Sequence, residues 1–284
     1  MSVVESQIVT VERPQSEPIL EIAAVSKTYG IEGDRVTAIA ELDFTVSDGE
    51  FVTVVGPSGC GKTTLLKCLA GLLEPSSGEV RLRGKAIDQP PPEMAIVFQD
   101  YSRSLLPWLT VRKNVMLPLR GAREEKQELA REALDAVGLT AFADGYAWKL
   151  SGGMQQRVAI ARALAYQPKV LLMDEPFASV DAQTRAELED LVLRVRHEFN
   201  VTVLLVTHDI DEAVYMGDRV VVLTKRPSRV KRILEIDLPR PRDQLTTKSA
   251  PSFIELRGEV YQDIKNESAA LRGGAPTADA EAGA

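Results

Sequence analysis

Short apolar runs that alternate with amphipathic stretches set the pattern of this chain. Phe51-Val52-Thr53-Val54-Val55, Ala95-Ile96-Val97-Phe98, Lys169-Val170-Leu171-Leu172-Met173 and residues 201–206 each read as a buried strand. Helical periodicity separates them at 64–70, 151–164, 186–199 and 209–216. Strands alternating with helices predict a parallel sheet covered on both faces. Three further strands, over 20–29, 36–40 and 42–46, lead through the turn Ser47-Asp48-Gly49-Glu50 to Phe51 and predict an antiparallel layer ahead of the parallel core. A dense turn at Glu74-Pro75-Ser76-Ser77-Gly78 precedes a strand over 79–83.

Residues 100–110 are irregular and 111–149 mainly helical, with apolar positions at Leu129, Ala133, Leu134 and Val137. A helical subdomain is therefore expected over about 100–160. Beyond Lys225 the alternation weakens. The expected organisation is a flexible N-terminus over 1–18, one α/β domain over 19–225, an extension over 226–272 and an Ala/Gly-rich disordered tail over 273–284.

Composition narrows this picture a little. At 284 residues with 44% apolar and 26% charged content, the chain can bury a core unaided. Its net charge of −7 argues against broad nucleic-acid binding. The two cysteines, Cys60 and Cys68, have no CxxC or histidine beside them and are expected to be free thiols in a reducing cytosol. The first 18 residues lack the basic start and apolar run of a signal peptide, and no apolar stretch of about 18 residues predicts a membrane span.

The chemistry is concentrated after the first buried strand. Gly56-Pro57-Ser58-Gly59-Cys60-Gly61-Lys62-Thr63 fits a phosphate loop in the strand-loop-helix context that the motif needs. Its glycines let successive N–H groups converge on a polyphosphate, at the positive end of the following helix. Lys62 would reach the β- and γ-phosphates and Thr63 would ligate Mg²⁺. Asp174-Glu175 ends another buried strand, where two carboxylates are costly without a counter-ion. Strand alternation would turn Asp174 to Mg²⁺, through a water, and Glu175 to the attacking water. Alone, Asp-Glu-Pro could as well open a surface loop. Leu150-Ser151-Gly152-Gly153-Met154-Gln155-Gln156-Arg157 opens a helix with a second anion-binding terminus, which a single nucleotide cannot need from the same side.

Together with Gln99, Ser179-Val180-Asp181 and His208, these stretches resemble the ATP-binding subunits of ATP-binding-cassette (ABC) transporters over roughly residues 20–225. The resemblance implies an α/β fold: a P-loop NTPase core with a parallel sheet, an antiparallel β layer and a helical insertion. It implies that Tyr29 stacks on adenine and that the loop from Gly56 to Thr63, with the adjoining Thr64, holds ATP. Thr63, Gln99 and Asp174 become the Mg²⁺ residues, Glu175 the general base or water-orienting carboxylate, and His208 a γ-phosphate contact beside Lys62. Two subunits, read as a homodimer, would pair head to tail, each ATP lying between one phosphate loop and Ser151-Gly152-Gly153 of the other chain, with Asp181 reaching across. Val180 departs from the leucine more common there.

The finer resemblance is to the nitrate, sulfonate, taurine and bicarbonate importer group. It is carried by Pro90-Pro91-Pro92, by Ser104-Leu105-Leu106-Pro107-Trp108 and by Leu238-Pro239-Arg240-Pro241-Arg242. It implies an ATPase at the cytoplasmic face of the cell membrane, with separate permease subunits near Trp108, a separate solute-binding protein and no nucleic-acid partner. The rival is a soluble mechanical ATPase of the same fold. Chromosome-type members need a long heptad insertion and translation-type members two cassettes, and this sequence carries neither.

Overall fold

Two long antiparallel strands, β1 (Pro18–Tyr29) and β2 (Val36–Ser47), open the fold. The computed structural model describes residues 18–30, 33–100 and 104–269, of which 268 and 269 by backbone alone. The disordered tail expected over 273–284 lies outside the described residues, as does the flexible N-terminus apart from Pro18, which begins β1. Where the sequence predicts two short strands over 36–46, β2 runs unbroken. Ile39 and Leu42 are three residues apart and both fully buried, which strict alternation forbids. Register shifts against β1 between Ile22 and Val25 and between Val25 and Lys27, with Ala24 at a φ of 47°, absorb the mismatch as a bulge.

The chain continues through β3 (Phe51–Val55), α1 (Lys62–Leu69), β4 (Ser77–Leu82), β5 (Lys85–Ala86) and β6 (Met94–Val97). The helical insertion follows with α2 (Val111–Met116), α3 (Arg123–Ala136), two 3₁₀ turns and α4 (Gly152–Ala165). Then come β7 (Val170–Asp174), α5 (Ala182–Glu198), β8 (Thr202–Val206), α6 (Ile210–Met216), β9 (Arg219–Leu223), β10 (Ser228–Glu235), α7 (Thr246–Ser249) and α8 (Pro251–Ala269). Helix α5 starts four residues before the periodicity suggests, because Asp181 caps it by accepting the Thr184 N–H at 3.0 Å.

Among the described residues the strands form one sheet in the order β5-β4-β1-β2-β10-β9-β3-β8-β7-β6. Strands β9, β3, β8, β7 and β6 are mutually parallel. Their side chains alternate between two cores. Phe51, Val55, Leu171, Met173, Val203 and Leu205 face the core shared with α4, α5 and α6, whereas Val52, Val54, Leu172, Leu204 and Val206 face the one shared with α1 and the antiparallel layer. Burial on both faces is why these segments read as continuous apolar runs.

The extension beyond residue 225 begins inside this sheet. Strand β10 pairs antiparallel with β9 and touches β2 at Ser228, so it joins the antiparallel layer to the parallel core. Its outward residues are charged: Lys231 meets Asp263 and Glu267, and Arg232 meets Glu259, all on α8. That pattern hides the strand from a hydrophobicity reading.

Candidate nucleotide site

Four loops leave the carboxyl ends of four adjacent strands, β3, β8, β7 and β6, which is where open α/β sheets bind ligands. They carry the phosphate loop, His208, Asp174-Glu175 and Gln99. In the phosphate loop, Gly61 caps α1 with a φ of 103°, and a Cβ there would lie 3.2 Å from the Ala38 carbonyl oxygen, so backbone conformation and space both demand glycine. Lys62 is buried and its Nζ donates to the Gly56 carbonyl at 2.9 Å and the Pro57 carbonyl at 3.5 Å, which holds the ammonium within the loop. Cys60 and Cys68 are buried free thiols, and burial pushes both up from the ordinary thiol range. Ser58, Gly59 and Thr63 are exposed, and Pro57 and Thr64 half-buried.

Thr63 turns back toward β7, its Oγ1 3.4 Å from Asp174 Oδ1. Asp174 is buried, and desolvation pushes its carboxyl above the usual range while the Thr63 hydrogen bond opposes that shift. The next residue leaves the strand altogether. Glu175 has a φ of 43°, and its N–H donates to the Val206 carbonyl at 2.8 Å, so a left-handed kink adds to strand alternation in parting the two carboxylates. Such a backbone in a non-glycine residue costs about 1–3 kcal/mol and is typical of functional positions. Glu175 Oε2 is approached from two sides, by His208 Nδ1 at 3.0 Å and by Gln99 Nε2 at 3.4 Å. Tyr29 lies at the loop's far edge, 40% exposed, with its hydroxyl 3.2 Å from Thr64 Oγ1. Lys27 Nζ stands 5.7 Å from the ring centroid.

The remaining predicted residues lie elsewhere. Ser151 caps α4, its Oγ accepting the Met154 N–H at 3.4 Å, with Ser151 and Gly152 exposed. Gly153 closes on α5, where a Cβ would fall 2.3 Å from Thr184 Cγ2. Asp181 accepts from both the backbone N–H and the hydroxyl of Thr184, at 3.0 and 2.7 Å, and these bonds hold its carboxyl below the ordinary range. Among the described residues, no hydrogen bond of Ser151, Gly152 or Gly153 reaches the phosphate loop of the same chain.

One group escapes a sequence reading. Arg185 donates to Asp209 at 2.9 Å and lies 3.7 Å from Glu212, so it ties the start of α5 to the residue after His208. Glu212 is buried and accepts the Thr207 hydroxyl at 2.6 Å; desolvation raises its pKa from 4.5 to about 7. The available signal was Asp209 followed three residues on by Glu212, the spacing of a helix capping box.

Comparison with known proteins decides what this constellation belongs to. Residues 39–178 match a family model described as ABC transporter. The chain is 47% identical over 259 residues to an uncharacterized ABC transporter ATP-binding protein of Methanocaldococcus jannaschii, spanning 90% of this chain and 95% of that one. The chain belongs to the ABC transporter family. It is an ATP-binding subunit of that family, and its enzymatic activity is ATP hydrolysis. This cassette is also 42% identical over 271 residues to the bicarbonate transport ATP-binding protein CmpD of Synechococcus elongatus, spanning 93% and 97% of the two chains. It is 44% identical to the nitrate import ATP-binding protein NrtC of the same organism over 84% of its own length, and spans only 37% of that longer protein. Among solved structures, it is similar to a dimeric post-hydrolysis state of the ATP-binding cassette MJ0796 bound to ADP and Pi. That match has 35% identity and a TM-score of 0.67 over 76% of this chain and 98% of the other. It is likewise similar to CbiO1 of Clostridium perfringens, part of the transporter complex CbiONQ, with 29% identity and a TM-score of 0.70 over 77% and 88% of the two chains.

Proposed function

We propose that this cassette energises an importer for a small anion such as nitrate, sulfonate, taurine or bicarbonate, working as a homodimer beneath separate permease subunits. The observation that carries the catalytic part is the convergence of Lys62, Thr63, Gln99, Asp174, Glu175 and His208 from four neighbouring strand ends. Names of the relatives support the anion class, since CmpD is a bicarbonate and NrtC a nitrate transport protein.

In this reading Tyr29 stacks on adenine and the amides from Gly56 to Thr64 enclose the phosphates. Glu175 orients the attacking water and takes its proton. Lys62 and His208 offset charge on the γ-phosphoryl oxygens as the bond to the leaving phosphate breaks. Thr63 Oγ1 and Asp174 form a hard-oxygen pair suited to Mg²⁺, and Gln99 completes the set with its carbonyl oxygen while its amide donates to Glu175. Buried Asp174, whose charge is penalised by desolvation, fits a cation-binding role. When bound, Mg²⁺ neutralises the β- and γ-phosphate oxygens.

Ser151, Gly152, Gly153 and Asp181 serve the nucleotide of the partner subunit. The exposure of Ser151 and Gly152 at the start of α4, and the dimeric state of the MJ0796 cassette, support this. The permease would seat on a groove of about 500 Å³ lined by Pro90, Pro91, Met94, Leu117, Arg120 and Tyr166. Trp108, 69% exposed ahead of α2, is a second apolar side chain open to a partner. No helix among the described residues is long and apolar enough to cross a membrane. In this reading the span lies in separate permease chains, a solute-binding protein delivers the anion, and the cassette works at the cytoplasmic face. Import tests the anion class. Membrane vesicles that enclose this cassette and ATP beneath the co-purifying permease, with the solute-binding protein added outside, should accumulate labelled nitrate or bicarbonate. Accumulation of neither these nor sulfonates would contradict it.

A further inference from the structure

The stretch Leu238-Pro239-Arg240-Pro241-Arg242 lies outside the loops that build the site, yet its cations address the helix behind His208. Arg242 Nη1 donates to the carbonyls of Tyr215 at 2.5 Å, Gly217 at 2.7 Å and Val214 at 3.5 Å, closing the last turn of α6. Burial lowers this guanidinium to about 10, and the carbonyl end of the helix is what makes a cation tolerable there. Arg240 pairs with Asp218, which lies two residues past the end of α6, accepts the Phe51 N–H at 2.9 Å and also pairs with Arg196. Leu238 is buried and anchors the stretch in the core.

The chain then crosses α5. Gln244 Nε2 donates to the Ala186 carbonyl at 3.1 Å and to Glu189 at 3.0 Å, and Lys248 Nζ reaches Glu189 at 2.9 Å. Glu189 is only 2% exposed, so both donors compensate a buried carboxylate. Lys248 also stands 4.6 Å from the ring centroid of Tyr215, whose hydroxyl donates to Asp190 at 2.6 Å. Residues 238–248 thus form a strap across two helices, and each begins beside a candidate site residue: Asp181, which caps α5, and His208, which precedes the Asp209 cap of α6. Helix α6 has seven residues, about 10 Å, so displacement at its C-terminal end is delivered to its N-terminal end.

We propose that Arg242 is a positioning residue for ATP hydrolysis: by pinning the C-terminal end of α6 it fixes His208 at its 3.0 Å separation from Glu175. The inference rests on the roles proposed above for His208 and Glu175.

The test uses the full chain, steady-state ATPase assays and side-chain spectra of ¹⁵N-histidine-labelled protein. Only two histidines are present, and His197, exposed on α5, is the internal reference. In folded R242A, kcat falls about tenfold or more while KM for ATP stays within about twofold, and the His208 resonance moves while that of His197 does not. R242K keeps a point charge without the planar fork and falls between the two, and it carries the same test should R242A not fold. A folded Arg242 variant that hydrolyses ATP within about twofold of the parent, with His208 unshifted, overturns the proposal even if its melting temperature drops. H208A separates the two levels: parental hydrolysis in H208A removes the catalytic role itself, whereas its loss beside a fully active R242A removes only the positioning role.

Discussion

His208 Nδ1 stands 3.0 Å from Glu175 Oε2, and the two residues reach each other from the ends of neighbouring parallel strands, β8 and β7. Glu175 enters the contact through a left-handed backbone with φ 43°, so the carboxylate is aimed by the main chain as well as by its partners.

Tyr29 is half-exposed beside Thr64. Replacing it by alanine removes a stacking surface worth about 2 kcal/mol, so the Kd for ATP should rise roughly thirtyfold, while phenylalanine should retain most of the affinity. Titration of each variant with a fluorescent ATP analogue reads this directly. Equal affinity in the alanine variant would remove Tyr29 from the site.

Asp174 and Thr63 face each other across 3.4 Å. Asp174→Asn keeps the shape but removes the anion, and hydrolysis should fall by about two orders of magnitude or more with a much higher Mg²⁺ requirement. Stimulation by Mg²⁺ unchanged from the parent would exclude this pair as the cation site.

Gly153 has no room for a methyl group, since a Cβ would lie 2.3 Å from Thr184 Cγ2. Thr184 cannot swing away freely, because its hydroxyl and N–H both bond Asp181. Gly153→Ala should therefore destabilise the fold by about 1–3 kcal/mol, and adding Thr184→Ser, which deletes the methyl but keeps the hydroxyl, should recover most of it. Thermal unfolding of the single and double variants gives the answer; absence of rescue would mean that the clash is relieved elsewhere.

The sequence made the nucleotide-facing half of the site legible for a physical reason. Spacing among Gly56, Gly59, Gly61, Lys62 and Thr63 is local, and strands buried on both faces leave unmistakable apolar runs. Long-range pairings of charged residues leave no such trace. Arg185 with Asp209, Arg242 on the carbonyls of α6, and Lys231 with Glu267 all look like solvated surface until the fold brings them together. The kink at Glu175 was equally hidden, since glutamate carries no preference that announces a positive φ. For the same reason β10, apolar on one side and ion-paired on the other, reads as a weakening of the pattern rather than as a strand.

Glu212 supplies a pH test of the region behind His208. Its pKa is raised from 4.5 in the unfolded chain to about 7 in the fold. The folded protein therefore holds a proton that the unfolded chain has released, and the stability present below pH 4.5 is lost as pH rises through 7. The full difference is worth about 3 kcal/mol at most. Glu212→Gln should be more stable than the parent at pH 8 by roughly 1–3 kcal/mol, with the gap closing toward pH 5. Melting curves of both proteins across that range check the sign; a gap that widens on acidification would contradict it.

The central claim is that one chain holds half of each site and that Glu175 does the chemistry. The most direct test is purified Glu175→Gln protein, assayed for steady-state hydrolysis and for mass in solution with and without ATP. The account predicts hydrolysis lowered by about 10²–10⁴-fold together with an ATP-dependent dimer that persists because it cannot turn over. A variant that stays monomeric with ATP and hydrolyses it at the parental rate would contradict both the catalytic role and the shared site.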